Sequence, residues 1–564
     1  MQRLSRTPIL LTLLGVTPFF LACATPPGSV PAEISATKAE QPPRAERALP
    51  SADSVPTLVV FITIDQMRAD YFDRFASQLT GGLARLDRGG ALFTNAFQDH
   101  AITETAPGHA TTLSGRFPRH TGIVINSAGV QDPQSPVIGA PSLNASPFRF
   151  RGGTLIDWIR AKDPRSRALS VSRKDRAAIL PLGRAHQSVY WYDPTSGRFS
   201  TSTYYADTLP EWVRDFNARR LPQSYAGRSW TTLLDSGYAE PDSQPVENHG
   251  SDYTFPHVLP SDTAEAVRSL PDFPWMDDVT LQMALTGLRA LDLGRGPQTD
   301  LLAISLSTTD AVGHRYGTDS RELHDQVLRV DRALGAFLDT LFALRDSSKI
   351  VIALTGDHGV APTPEVYAAR TGATARRIRT STVLEPFTKT LSARGVDPAS
   401  FRYSEGMLMV DRPVLERAGL DPDSLVDAFA TEVKKIPGVR RADRYPDIVA
   451  DSLDDPIARR WYHQIPPDFP VALVVTLDEH SVGSGNATGI HGSPYDYDAN
   501  VPVLFYGPPF IPGRYTRFAR VADLAPTLAW VTATRPTEKL DGEVLWEALK
   551  GGEGREQKAD SRKQ

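Results

Sequence analysis

Thr57-Leu58-Val59-Val60-Phe61-Ile62-Thr63-Ile64-Asp65 is an unbroken apolar, β-branched run that ends on a carboxylate. A strand with one wet face would alternate polar and apolar residues, whereas a strand covered on both faces of a parallel sheet reads as a continuous apolar run. The pattern recurs along the chain. Residues 301–306 lead to Asp310, residues 350–354 to Gly356-Asp357-His358, and residues 168–171 to Lys174-Asp175-Arg176. Charged groups thus follow hydrophobic strands at their carboxyl ends, where open α/β sheets place ligand sites. The expectation is an α/β protein with a mostly parallel central sheet flanked by helices.

Between these runs the helical signals are plain. Asp319-Ser320-Arg321-Glu322 resembles a capping box with Asp319 in the Ser/Thr place, and Val327, Val330, Leu334, Phe337, Leu338 and Leu341 follow at helical spacing. This helix reads as scaffold. Val501 to Tyr506 reads as a final strand, in which Pro502 implies an edge position or a late start to pairing. An apolar stretch from Val521 to Val531 reads as a closing helix. Two segments look inserted, about 127–274 (rich in Pro, Ser, Tyr and Trp) and about 362–479, which has strand signals of its own. At the carboxyl edge of the sheet they would rim the site.

The ends of the chain read differently. Arg3 and Arg6 precede an apolar run from Ile9 to Ala22 that stops at Cys23, the only cysteine. This is the layout of a secretory signal, too short for a mature membrane span. Phe20-Leu21-Ala22-Cys23 resembles a bacterial lipobox, so residues 1–23 are expected to be a lipoprotein signal. Lipid on Cys23 would then be the only link to a membrane, on the periplasmic side. Residues 24–56, poor in large apolar side chains, read as a disordered tether, and 551–564 as a disordered tail. One cysteine excludes a disulfide within a monomer, the expected state. Lys and Arg total 61 against 66 Asp and Glu, a net charge of -5 that gives no reason to invoke nucleic acid.

The chemistry gathers around Thr103-Glu104-Thr105-Ala106-Pro107-Gly108-His109-Ala110-Thr111. A proline is tolerated in a first helical turn, which puts Thr105 at or just before a helix N-terminus, with the helical stretch expected over about 110–113 and ended by Gly115. Free N–H groups there favour an alkoxide or a phosphoryl group, although Thr is also a common N-cap. Asp310 and His314 are four apart, so one helical turn presents both to one cation. His491 sits between Gly489 and Gly492. Together with Asp65, Asp357, His358 and Thr105 these make seven candidate ligands, enough for two metal sites, and their mixed Asp and His character suits zinc better than magnesium or calcium.

In this order the residues resemble the alkaline phosphatase superfamily, in its branch of PafA-type single-chain phosphatases related to the nucleotide pyrophosphatase/phosphodiesterases. The resemblance runs from about Thr57 to Leu545. It implies an alkaline-phosphatase-like fold with inserted cap segments and two zinc ions, one on Asp310, His314 and His491, the other on Asp65, Asp357, His358 and the nucleophile Thr105. It also implies that Asn126 contacts a phosphoryl oxygen and that Lys174 and Arg176 mark a monoesterase. The implied reaction is hydrolysis of small-molecule phosphate monoesters through a phosphothreonine. Two alternatives stay open, a phosphodiesterase sharing all seven ligands and a silent lipoprotein that binds a phosphorylated partner. A sulfatase would need Cys or Ser at Thr105.

Overall fold

In the computed structural model, which describes residues 49–551, the run ending at Asp65 is a strand, β1 (Leu58–Ile64), with every residue buried. The expected lipoprotein signal with Cys23, the part of the expected tether up to residue 48 and the expected tail beyond residue 551 lie outside the described residues. Along the chain follow β2 (Ala91–Phe93), β3 (Ala168–Ser172), β4 (Ser188–Asp193), β5 (Arg198–Ser200), β6 (Asp300–Leu306) and β7 (Ile350–Thr355). Then come β8 (Phe401–Ser404), β9 (Met407–Val410), β10 (Val439–Arg444), β11 (Val471–Leu477), β12 (Val503–Tyr506) and β13 (Gly513–Tyr515).

The central sheet has nine strands in the order β13-β2-β12-β7-β1-β6-β3-β4-β5. The strands β7, β1, β6, β3 and β4 are mutually parallel; β12 and β5 pair antiparallel to their neighbours. The side chains of β1 alternate between two cores. Leu58, Val60, Ile62 and Ile64 join one, and Val59 and Phe61 the other. That two-sided burial is why no charged residue interrupts the run and Thr63 is its one hydroxyl. Truncating Phe61 to alanine should cost ~3–5 kcal/mol, because its cavity cannot refill.

Helices cover both faces. The segment with Thr105 forms α1 (Thr105–Thr112), followed by α2 (Trp275–Ala290), α3 (Thr308–Tyr316), α4 (Arg321–Leu344), α5 (Pro456–Gln464) and α6 (Leu524–Val531). The helix expected near Ala110 therefore begins earlier, at Thr105, with Pro107 inside its first turn. The stripe of α4 is buried from Val327 to Leu341, but its cap is one residue later than read: Ser320 Oγ accepts from Leu323 N–H, while Glu322 turns away to His257. Pro502 delays β12 to Val503. The strand is interior, between β7 and β2, and not the last, since β13 follows. Between residues 127 and 274 lie not only β3 but also β4 and β5, so that stretch builds one edge of the central sheet. Within 362–479, the order β8-β9-β11-β10 makes a separate antiparallel sheet.

Candidate metal centre and active site

The carboxyl ends of β1, β6 and β7 lie side by side, and the site is built there. Asp65 follows β1 directly, its N–H donating to Leu306 O across to β6. Asp357 and His358 follow β7 by one residue. After β6 the chain enters α3, whose first turns carry Asp310 and His314. His491 arrives from a distant loop, tied down by hydrogen bonds of Ser493 to Asp498.

Two groups form. Asp310, His314 and His491 converge with ligand atoms all within 4.8 Å of one another, and so do Asp65, Asp357 and His358. The imidazoles are oriented by the backbone. His314 Nδ1 donates to Gly489 O, His358 Nδ1 to Gly359 O and His491 Nδ1 to Thr103 O, each at 2.8 Å. Only an N–H can donate to a carbonyl, so in the neutral rings Nε2 is left as a lone pair, the arrangement of a metal-ligating histidine. His314 and His491 Nε2 face each other at 3.1 Å and lie 3.2 and 3.5 Å from Asp310 Oδ1. His358 Nε2 is buried with no hydrogen-bond partner, 3.4 Å from Asp65 and 3.6 Å from Asp357. Converging lone pairs repel unless a cation sits among them, so the donor set fits a metal at each group.

The electrostatics agree. Burial and the charge of Asp310 push the Asp65 carboxyl up, yet Lys174 and His358 overcome both and hold it far below the carboxylate range. Burial likewise opposes ionisation of Asp310, and Lys174 and His314 again win. Burial lowers His358, but Asp357, Asp65 and Asp310 raise it to about 9. Three ionised carboxylates around one imidazole stabilise positive charge at this point, whether it is a proton or a metal ion. His491, desolvated and beside His358, falls instead to about 3.

Thr105 is buried at the first residue of α1 and joins the two groups through Lys174. Lys174 Nζ lies 2.6 Å from Asp65 Oδ2, 2.6 Å from Asp310 Oδ2 and 3.2 Å from Thr105 Oγ1. Asn126 is adjacent: its Oδ1 accepts from Ala106 N–H at 2.8 Å, which fixes the amide and leaves its NH₂ as donor. Arg176 does not converge in the same way. Its Nη1 is 3.6 Å from the neighbouring Asp175, and its Nε is buried without a partner.

Several residues of the site carried no signal in the sequence. Gln66, in the left-handed region at φ 66, donates its N–H to Asp357 Oδ1 at 3.1 Å and its Nε2–H to Asp310 Oδ1 at 3.0 Å, so it touches both groups. A Cβ at position 313 would fall 1.7 Å from Gln66 Oε1, which explains Gly313 between Asp310 and His314. His109, one turn beyond Thr105, donates Nδ1–H to Thr105 O, lies 3.1 Å from Asp357 Oδ2 and accepts from Ser305 Oγ. Gly108 lets α1 approach Asp357, whose carbonyl oxygen would be 2.2 Å from any Cβ there. Adjacency to Asp65 and to Thr105 was the only available hint for Gln66 and His109.

Residues 59–454 match the family model of type I phosphodiesterase / nucleotide pyrophosphatase. The chain belongs to that family, within the alkaline phosphatase superfamily. It is 30% identical to the alkaline phosphatase PafA of Elizabethkingia meningoseptica over 502 residues, covering 84% of this chain and 91% of that one. It is 29% identical to the alkaline phosphatase PhoV of Synechococcus elongatus over 522 residues, 89% and 94% of the two chains. The crystal structure of wild-type PafA superimposes with a TM-score of 0.82 at 28% identity, covering 89% of this chain and all of that one. The α/β fold with its mostly parallel central sheet is that of these phosphatases.

Proposed function

We propose that this protein hydrolyses phosphate monoesters with two zinc ions and Thr105 as nucleophile. It is an alkaline phosphatase, like its relatives of matching length. The observation that carries the reading is Lys174, whose ammonium reaches a carboxylate of each metal-competent group and the hydroxyl of Thr105. When bound, the two ions supply positive charge that favours an ionised nucleophile and a departing alkoxide. Thr105 Oγ attacks phosphorus and the bond to the leaving alcohol breaks, which forms a phosphothreonine. Water then displaces Thr105 and releases inorganic phosphate. The Asn126 NH₂ and the Lys174 ammonium both present positive charge toward the non-bridging oxygens.

A diester carries an alkyl group in place of one charged oxygen, so a buried ammonium here favours monoesters over the diesters that name the family. Kinetics on matched monoesters and diesters, with metal analysis of the same sample, test this: faster diester turnover or full activity without metal sinks it. We further propose an exported, monomeric lipoprotein anchored through Cys23 in the periplasm. Cys23→Ser should abolish incorporation of labelled fatty acid, and unchanged labelling would refute the anchor. No helix among the described residues is long and apolar enough to cross a membrane.

A further inference from the structure

We infer that Gln464, at the C-terminal end of α5 in the inserted segment, is a positioning residue that fixes the spacing between Thr105 and Asn126. This rests on the roles proposed above for those two residues. The Gln464 side chain is fully buried, where an amide survives only if its donors and acceptor are matched. Its Oε1 accepts from Ile102 N–H at 2.9 Å and from His100 Nδ1–H at 3.1 Å, and its Nε2–H donates to Val124 O at 2.7 Å. Ile102 lies three residues before Thr105, and Val124 two residues before Asn126.

On the far side of these strings the ring closes. Asn126 Oδ1 accepts from Ala106 N–H, and Asn126 N–H donates to Glu104 Oε2 at 2.6 Å. One hydrogen-bonded circuit therefore runs from Gln464 through the nucleophile segment, across Asn126, and back by Val124. The circuit passes through Thr105 itself and through Thr103, whose carbonyl oxygen accepts from His491 Nδ1.

The amide can act as a clamp because α5 is itself immobilised. Asp455 caps its N-terminus through Ile457 and Ala458 N–H. His463 Nδ1 donates to Asp99 O at 2.7 Å, and Arg459 Nε lies 3.3 Å from the buried Asp99 carboxylate. On the other side Arg119 donates to Ile465 O at 2.7 Å. Ile102, Val124 and Ile125 share one apolar cluster with Met407, Met409, Trp461 and Ile465. The inserted sheet and α5 thus form the wall against which both catalytic segments are set.

A double-mutant cycle tests this. A displacement of about 1 Å in a reacting group costs ~10²-fold in rate, so Gln464→Leu should lower monoester kcat by ~10–10²-fold, with zinc content retained. If the residue acts by holding Asn126 against Thr105, the same change in an Asn126→Ala background should cost only a few-fold, a coupling that independent sites do not show. Equal losses in both backgrounds, or an unaffected kcat in Gln464→Leu, overturn the inference. An Asn126→Ala enzyme with wild-type kinetics removes the role of Asn126 and the clamp with it, while trapping of phosphate on Thr105 still reports on the nucleophile separately. Should Gln464→Leu not fold, Gln464→Met, unbranched and lacking only the amide, gives the same cycle. Loss of zinc or of a cooperative melt in Gln464→Met as well makes the residue structural, and the inference falls.

Discussion

Replacing Lys174 by alanine removes the one ammonium that touches Thr105 and both metal-competent groups, and its effect can be worked from the geometry. Nζ is 3.2 Å from Thr105 Oγ1. A phosphorus atom bonded to that oxygen brings a non-bridging oxygen to ~4 Å from Nζ, where two unit charges interact by ~4 kcal/mol at an effective dielectric of ~20. The dianion spreads its charge over three oxygens, so the part felt locally is ~2–4 kcal/mol, or ~30- to 10³-fold in rate. That range brackets the ~10²–10³ typical of one preorganised charge partner. A diester presents one charge fewer and should lose about half that free energy, ~1–2 kcal/mol or ~5- to 30-fold on the same scale. The assay is kcat/KM for an aryl monoester and its methyl diester, wild type against Lys174→Ala, with zinc counted in both. Arg176→Ala should cost less than Lys174→Ala, since Arg176 leans on Asp175. Equal losses for both substrates at constant zinc would refute the argument that Lys174 selects monoesters.

Thr105→Ala should abolish phosphothreonine trapped at low pH, whereas Thr105→Ser should keep appreciable activity because an attacking oxygen remains; label on another residue overturns the assignment. Asp310→Ala and Asp357→Ala should each lose about one zinc of two and most activity, read by metal analysis, and loss of neither ion excludes these ligands. Gln66→Ala should weaken zinc retention ~10–100-fold on titration with a chelator, as outer-shell partners do, and unaltered retention would make its contacts incidental. Burial, Glu322 and Asp242 raise the Glu247 carboxyl to about 9. A raised carboxyl costs nothing below its unfolded value of ~4.3 and destabilises increasingly up to the folded value. Glu247→Gln, which mimics the protonated form, should therefore raise Tm at pH 9 but not at pH 4, and a gain independent of pH would contradict this.

Much of the fold was legible because its signals are local. The runs at 58–64, 168–172, 300–306 and 350–355 are mostly apolar on both alternating sets of residues, and burial on both faces accounts for that. Asp65, Asp310 and Asp357 were found for the same reason, since each follows a strand by a few residues and parallel strands deliver their carboxyl ends to one edge. β4 and β5 escaped because polar and aromatic residues crowd their flanks and mask the period. Pro502 left two options, and only the neighbours of β12 chose between them.

Other features exist only as relations in space. Nothing in the spacing of Gln66, His109 or Gln464 announces Asp310, Asp357 or Val124 as partners, and a buried amide in a helix reads the same whether or not it reaches a catalytic segment. The divergence of Lys174 from Arg176 is of this kind: two cations two residues apart, one over Thr105 and one turned to Asp175. Sequence by itself determined where each chemically able side chain enters the sheet edge, because secondary structure follows from neighbours along the chain. Which of those side chains meet, and therefore which charges are shifted and which hydrogen bonds close, was decided only by the tertiary structure, because Coulomb and hydrogen-bond energies depend on distances of a few ångströms between residues hundreds of positions apart.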